Sequence, residues 1–319
     1  GTPRFRSAME KRSDLELVDL STASDAELWD IHDQLRERAH GQGGRASLLD
    51  TKAELARRLL KRCVLCAHRC GVDRIAGERG RCGLSADAVV AEAFVHIAEE
   101  APINPSLVLN LAGCGLRCRF CQQHALLSPR RVRGVSLDGR LWEQLDFDGA
   151  RSISFVGGNP SESLHACLAF LAAAPSGFGL PVVWNTHGYE TAEVLTLLDG
   201  VIDAYIPDLK YMQDACAERL SRAPGYVSAA TAAIRAMVGQ GVPVIVRVLV
   251  LPGHIECCHR PALEFLAGLG AENVLVSIRG QYYPGWRVTS KDGDLARRTT
   301  SEELEAVAGY ARFLQLDVV

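Results

Sequence analysis

Leu107-Val108-Leu109-Asn110-Leu111-Ala112-Gly113-Cys114-Gly115-Leu116-Arg117-Cys118-Arg119-Phe120-Cys121 is a short apolar run that breaks at glycine into three closely spaced cysteines. The run over 107–111 is β-prone and predicts a strand. The cysteines follow as C-x3-C-x2-C on a loop opened by two glycines, and no fourth cysteine lies at matching spacing on either side. A closed zinc or iron–sulfur site takes four protein ligands. Three thiolates on one short loop can hold three irons of a cubane and leave the fourth open to bind something that reacts. Three buried thiols, a disulfide with a spare cysteine, and half of a zinc site are the competing readings.

The pattern of that first run recurs downstream. Strands are predicted at 107–111, 152–156, 181–184, 201–206, 244–250 and 274–278, and helices between and after them at 164–173, 192–198, 229–237, 261–269 and 302–314. Strands alternating with helices predict an α/β fold with a parallel sheet and helices outside it. Six such units make a partial (β/α)6 TIM-type barrel, whose chemistry belongs at the carboxyl ends of the strands. The unusual residues fall there. The exits are Gly113-Cys114, Gly157-Gly158-Asn159-Pro160, Asn185-Thr186-His187-Gly188-Tyr189-Glu190, Pro207-Asp208-Leu209-Lys210 and Arg279-Gly280-Gln281-Tyr282-Tyr283-Pro284, and Arg247 stands inside a valine run. An unpaired charge buried there costs several kcal/mol, so Arg247 is expected to face an anionic ligand in the barrel mouth.

Upstream, Ser24-Asp25-Ala26-Glu27 is a capping box opening a helix with Leu28, Ile31 and Leu35 at helical spacing. A break is expected at residues 40–44, a second amphipathic helix over 47–61, and an arm without periodicity over 1–20. Then Cys63, Cys66, Cys70 and Cys82 follow as C-x2-C-x3-C-x11-C in a segment poor in large apolar side chains. Such a segment needs a metal to fold. Zinc and an auxiliary iron–sulfur cluster are equally open, and His68 is read as a surface residue. The expected division is an arm and helices over 1–60, a four-cysteine metal module over 61–100, and the barrel over 101–319. With 319 residues, one large domain and a smaller attachment are expected.

Hydrophobic residues make up 48% and charged residues 23%, ordinary for a globular chain, and no apolar run would span a bilayer. With no signal-like start and cysteines too sparse for a disulfide scaffold, a cytoplasmic location is expected. The net charge of −3 argues against a general polyanion binder, and nucleic acid is not favoured. Arginines are nonetheless dense near the cysteines, including Arg117, Arg119, Arg130, Arg131 and Arg133. They suit a docking face for an acidic partner. Cys167 and Cys216 are read as inert helix residues, and Cys257-Cys258 as bystanders.

The set of motifs resembles the radical S-adenosylmethionine (SAM) superfamily, and within it proteins similar to pyruvate formate-lyase activating enzyme that carry an N-terminal four-cysteine motif. The likeness spans about residues 63–290 and includes Glu99-Glu100-Ala101-Pro102-Ile103-Asn104. It implies that Cys114, Cys118 and Cys121 hold a [4Fe-4S] cluster, that SAM binds the open iron, and that one electron cleaves SAM to a 5′-deoxyadenosyl radical that abstracts hydrogen. It implies further that Phe120 packs on the adenine, that the turn Gly157, Gly158, Asn159 and Pro160 receives the SAM amino group, and that Lys210 and Arg247 contact SAM or substrate. Asn185, Thr186, Asp208 and Leu209 match a monovalent cation site. Asn159 and Asn185 replace acidic residues of the family pattern, which weakens that last match. The implied reductant is a flavodoxin or ferredoxin. The implied substrate is a glycyl-radical enzyme, another protein or peptide, or a small molecule.

Overall fold

The computed structural model describes residues 14–15, 22–38 and 46–319. The arm expected over 1–20 and the break at 40–44 lie outside the described residues, apart from Asp14–Leu15, which pairs antiparallel with Ala46–Ser47. Helix α1, Asp25–Arg38, opens on the expected capping box. The Glu27 amide donates to Ser24 Oγ at 3.2 Å, and the Ser24 amide to Glu27 Oε2 at 2.7 Å. Helix α2, Leu48–Arg58, runs on into a 3-10 turn, Leu59–Arg62.

The strands are β1 (Val89–His96), β2 (Ser106–Leu111), β3 (Ser152–Gly157), β4 (Val182–Thr186), β5 (Ala204–Pro207), β6 (Val244–Leu249) and β7 (Val274–Arg279). They form one open sheet in the order β7-β6-β5-β4-β3-β2-β1, ending on the two-residue strand Val135–Ser136. From β2 to β7 every neighbouring pair is parallel, and chain order equals sheet order. That sequential order winds the sheet one way, as in a barrel, and the fold is a partial TIM-type barrel. Helices α3 (Leu164–Ala172), α4 (Ala192–Leu198), α5 (Asp214–Ser221), α6 (Tyr226–Gly239), α7 (Arg260–Ala267) and α8 (Ser301–Phe313) complete it.

Three departures from the sequence reading stand out. Strand β1 lies inside the stretch expected to be the cysteine module, and it pairs antiparallel with β2. Strand β5 starts at Ala204 rather than at 201. One apolar core runs continuously from Leu28 and Leu55 through Leu65 to Ala311, so the N-terminal helices share it with the barrel. No described helix is long and apolar enough to cross a membrane.

Alternation along the strands decides where the cleft lies, because successive side chains point to opposite faces. Trp184, Tyr205, Val244 and Val246 join the main core, while Val183, Ala204, Ile206 and Ile245 pack with Ile103 in a second cluster. On that second face, small apolar side chains fill the lower end. Two residues further along each strand stand Asn185, Asp208 and Arg247, which line a cleft.

Candidate active site

The cleft at the carboxyl ends of the strands has a volume of about 340 Å³. Cys114, Cys118, Cys121 and Phe120 line it from the loop after β2, and Gly157, Gly158 and Asn159 from the turn after β3. Asn185 and Thr186 of β4, Asp208 and Lys210 after β5, and Arg247 of β6 complete the set singled out in the sequence. Pro160 is not among the lining residues; it precedes the 3-10 turn Ser161–Ser163 that leads into α3.

The two glycines at the carboxyl end of β3 are required by close approach. A Cβ on Gly157 would come within 2.3 Å of the Leu111 nitrogen, and one on Gly158 within 2.1 Å of the Gly113 carbonyl oxygen. The turn therefore lies directly on the backbone that feeds the cysteine loop, and the Gly158 amide donates to the Leu111 carbonyl at 2.7 Å.

Burial pushes the thiols of Cys114 and Cys118 above the ordinary range, and that of Cys121 up to about 11. Thiolates at these positions need the charge of a bound cation to form. Among the described residues the three sulfurs do not crowd into one group within 4.8 Å, as they would around a single ion. Both observations suit a cubane, where each sulfur holds a different iron. Ser221 Oγ donates to Cys118 Sγ at 3.0 Å.

Behind Cys114 lies a carboxylate that the sequence reading missed. Glu162 is 1% exposed, and one of its oxygens lies within 4.8 Å of both Cys114 Sγ and a His187 ring nitrogen. It accepts from the Gly115 amide at 2.6 Å and from Asn159 Nδ2 at 2.6 Å, and His187 Nε2 stands 3.4 Å away. The Tyr189 amide donates to His187 Nδ1 at 3.1 Å, which leaves the proton on Nε2 to face Glu162. Burial raises the Glu162 carboxyl, but His187, Asn159 and the Gly115 amide outweigh it and the net direction is down. Asn159 is fully engaged, its Oδ1 accepting from Thr186 Oγ1 and the His187 amide, each at 3.0 Å. An acidic residue two positions beyond the G-G-N-P turn was the available signal.

Arg247 finds a counter-charge within the chain, so its burial does not depend on the anionic ligand expected in the barrel mouth. Its Nε donates to Glu100 Oε1 at 2.6 Å, and its Nη2 to Glu99 Oε2 and Glu100 Oε2, each at 2.6 Å. Arg279 Nη2 lies 2.7 Å from Glu100 Oε1, and Ser277, opposite Arg247 in the β6–β7 register, donates to the same oxygen at 3.0 Å. Two carboxylates meet two guanidiniums, and the group is neutral. Burial raises the Glu100 carboxyl, yet Arg247 and Arg279 bring it down to about 2. Lys210 is also paired, its Nζ 2.5 Å from Asp208 Oδ2. Burial lowers that ammonium, and Asp208 then Cys118 raise it further, so it stays charged.

The four-cysteine segment packs against the cysteine loop. Cys63, Cys66 and Cys82 are buried and Cys70 is exposed. A Cβ on Gly115 would come within 3.3 Å of Cys66 Sγ. Arg74, fully buried, donates to the carbonyls of Ser85 and Glu162, each at 2.8 Å. His68 is half-buried rather than a surface residue, with Nε2 3.0 Å from the Gly115 carbonyl. Burial lowers its pKa to about 4. On the far side, Arg119 pairs with Asp292 at 2.8 Å, and Trp286 stacks on His124. The segment after β7 thus lies on the cysteine loop.

A family model described as the radical SAM superfamily matches residues 111–266. An uncharacterized protein of Methanocaldococcus jannaschii is 30% identical over 316 residues, covering 92% of this chain and 89% of that protein. SuiB of Streptococcus suis, solved bound to S-adenosylmethionine, is similar at a TM-score of 0.44 and 14% identity. That match covers 65% of this chain and 47% of SuiB, so the chain spans about half of SuiB's length. A domain of pyruvate-formate lyase-activating enzyme from Bacteroides vulgatus is similar at a TM-score of 0.40 and 15% identity, over 53% of this chain and 97% of that one.

Proposed function

Since the chain belongs to the radical SAM superfamily, whose members are enzymes built on SAM and a [4Fe-4S] cluster, we propose that it abstracts a hydrogen atom from a protein or peptide, activation of a glycyl-radical enzyme being one such role. The observation that carries the catalytic reading is the gathering of three separated thiols, the Gly157-Gly158 turn and the Asp208–Lys210 pair around one cleft. When bound, the cluster supplies the electron that splits SAM into methionine and a 5′-deoxyadenosyl radical. Cys114, Cys118 and Cys121 would hold it. Phe120, set edge-on to Tyr282 at 5.6 Å, offers an aromatic face to the adenine. The Gly157–Pro160 turn receives the amino group of SAM. Lys210 and Arg247 orient the ligand from the far wall, each already balanced by an acid. Asn185, Thr186, Asp208 and Leu209 remain the candidates for a monovalent cation, with the Lys210 ammonium competing for Asp208.

A cleft of about 340 Å³ is at the lower end of small-molecule sites. Cluster and SAM together would take up most of it, which leaves a substrate to approach from the mouth and favours an extended chain over an enclosed small molecule. A small-molecule substrate is the second reading.

Cys63, Cys66, Cys70 and Cys82 are proposed to hold a second centre. Thiolates sharing one zinc at 2.3 Å stand about 3.8 Å apart. Among the described residues no three of these four lie within 4.8 Å of one another, which favours an iron–sulfur cluster over zinc. The eleven free thiols suit a reducing compartment such as the cytoplasm, and the electron is expected from a flavodoxin or ferredoxin. The test is spectroscopic: anaerobically reconstituted protein should show a [4Fe-4S] signal that shifts on adding SAM and is lost in Cys118→Ala. A signal that SAM does not perturb would overturn the assignment.

A further inference from the structure

Cys216 sits in the first turn of α5, and Cys257 and Cys258 in the turn that follows β6, with 40 residues between the nearest two. The fold brings their three sulfurs within 4.8 Å of one another. None of the three lines the cleft.

The local backbone explains how two adjacent cysteines can join one group. In an α-helix, residues i and i+1 do not face each other. Ile255–His259 is instead a single π turn, a rare form that is frequent at functional sites. It sets Cys257 Sγ only 3.6 Å from Cys258 Sγ. Cys216 and Cys258 are buried at 8% and 1% exposure, while Cys257 is half-buried and gives access from outside.

We propose that Cys216, Cys257 and Cys258 bind a single thiophilic d10 metal ion, zinc(II) or copper(I), in a three-thiolate site. All-thiolate sets favour these ions. The spacing fits one ion by the same yardstick that sets the other two cysteine groups apart. The nearby imidazoles are engaged elsewhere: His254 Nδ1 with the Pro252 carbonyl at 2.7 Å and its Nε2 with Arg219 at 3.4 Å, and His259 Nε2 with the Leu251 amide at 2.9 Å. The fourth position of a zinc ion is left to water. The site ties α5 to the β6–α7 connection. Because α5 also ends in Ser221, which donates to Cys118, a bound ion braces one side of the cysteine loop.

The experiment uses full-length protein with its iron–sulfur sites reconstituted and its iron counted. Zinc(II) and, separately, copper(I) are titrated anaerobically, and bound metal is measured after gel filtration. One equivalent beyond the iron is expected for at least one of the two ions. Cys216→Ser and Cys257→Ser should lose it with iron unchanged, and Cys167→Ser should keep it. Should the variants fail to fold, alkylation of Cys257 in the unmutated protein serves instead, and the bound ion should block it. The proposal is overturned if neither ion adds an equivalent, if the thiol variants retain it, or if Cys257 alkylates equally at saturating metal. A disulfide among the three thiols, with no metal uptake after its reduction, overturns it as well.

Discussion

Replacing Arg247 by alanine removes three charge-assisted hydrogen bonds at once, all at 2.6 Å, from two carboxylates that are 8% and 0% exposed. Breaking a buried ion pair from one side costs about 3–5 kcal/mol. Glu100 keeps Arg279 and Ser277, which places Arg247→Ala at the low end, about 3 kcal/mol. A second route gives a similar figure. The Glu100 carboxyl is held at about 2 against an ordinary 4.5, which by linkage amounts to about 3 kcal/mol at neutral pH, shared among its partners. The sign follows from the direction. A depressed carboxylate stabilises the fold above its ordinary pKa, and that stability is lost as pH falls from about 4.5 toward 2. Urea denaturation at neutral pH should show the loss in Arg247→Ala, with a partial loss in Arg247→Lys. Between pH 4.5 and 2 the variant should lose less further stability than the unmutated protein. An Arg247→Ala protein of unchanged stability that had lost only SAM affinity would refute the ion-pair account and leave Arg247 with a ligand contact alone.

Three further outcomes are expected. Glu162→Gln leaves one oxygen to face three donors, from Gly115, Asn159 and His187, and should cost about 1–3 kcal/mol in a thermal melt; an unchanged melt would mean that the carboxylate is not the acceptor described. Replacing Cys63 and Cys66 together by serine should lower the iron content from about eight to about four per chain and lower the melting temperature, and retention of both would remove these residues as ligands. Turnover driven by a flavodoxin should fall with ionic strength, because the arginines near the cysteine loop act over a Debye length of about 8 Å; turnover driven by dithionite should not, and equal salt responses would remove the docking face.

The parallel strands were legible because a strand buried on both faces is a short apolar run, as at 107–111, and because their exits carry glycines and polar residues in sequence. Strand β1 escaped notice because it lies near the edge with Glu92, Ala93 and Phe94 exposed, so its pattern is mixed. The partner of Arg247 was hidden by a separation of 147 residues. The motif that contains Glu100 was visible, but nothing in sequence joined it to β6. Cys216, Cys257 and Cys258 were passed over because an ordinary helix would point the adjacent pair apart, and only the π turn brings them together. Glu162 was missed because Asn159 occupies the turn position where an acid was expected, and the hydrogen bond between them shows only in three dimensions.

The most direct measurement is the yield of 5′-deoxyadenosine when the reconstituted protein, reduced anaerobically, is given SAM. The account predicts that the unmutated protein releases it, that Cys118→Ala does not, and that Cys257→Ser still does. Release of 5′-deoxyadenosine by the Cys118→Ala protein at the unmutated rate, or its absence from a protein whose cluster is spectroscopically intact and reduced, would contradict the account.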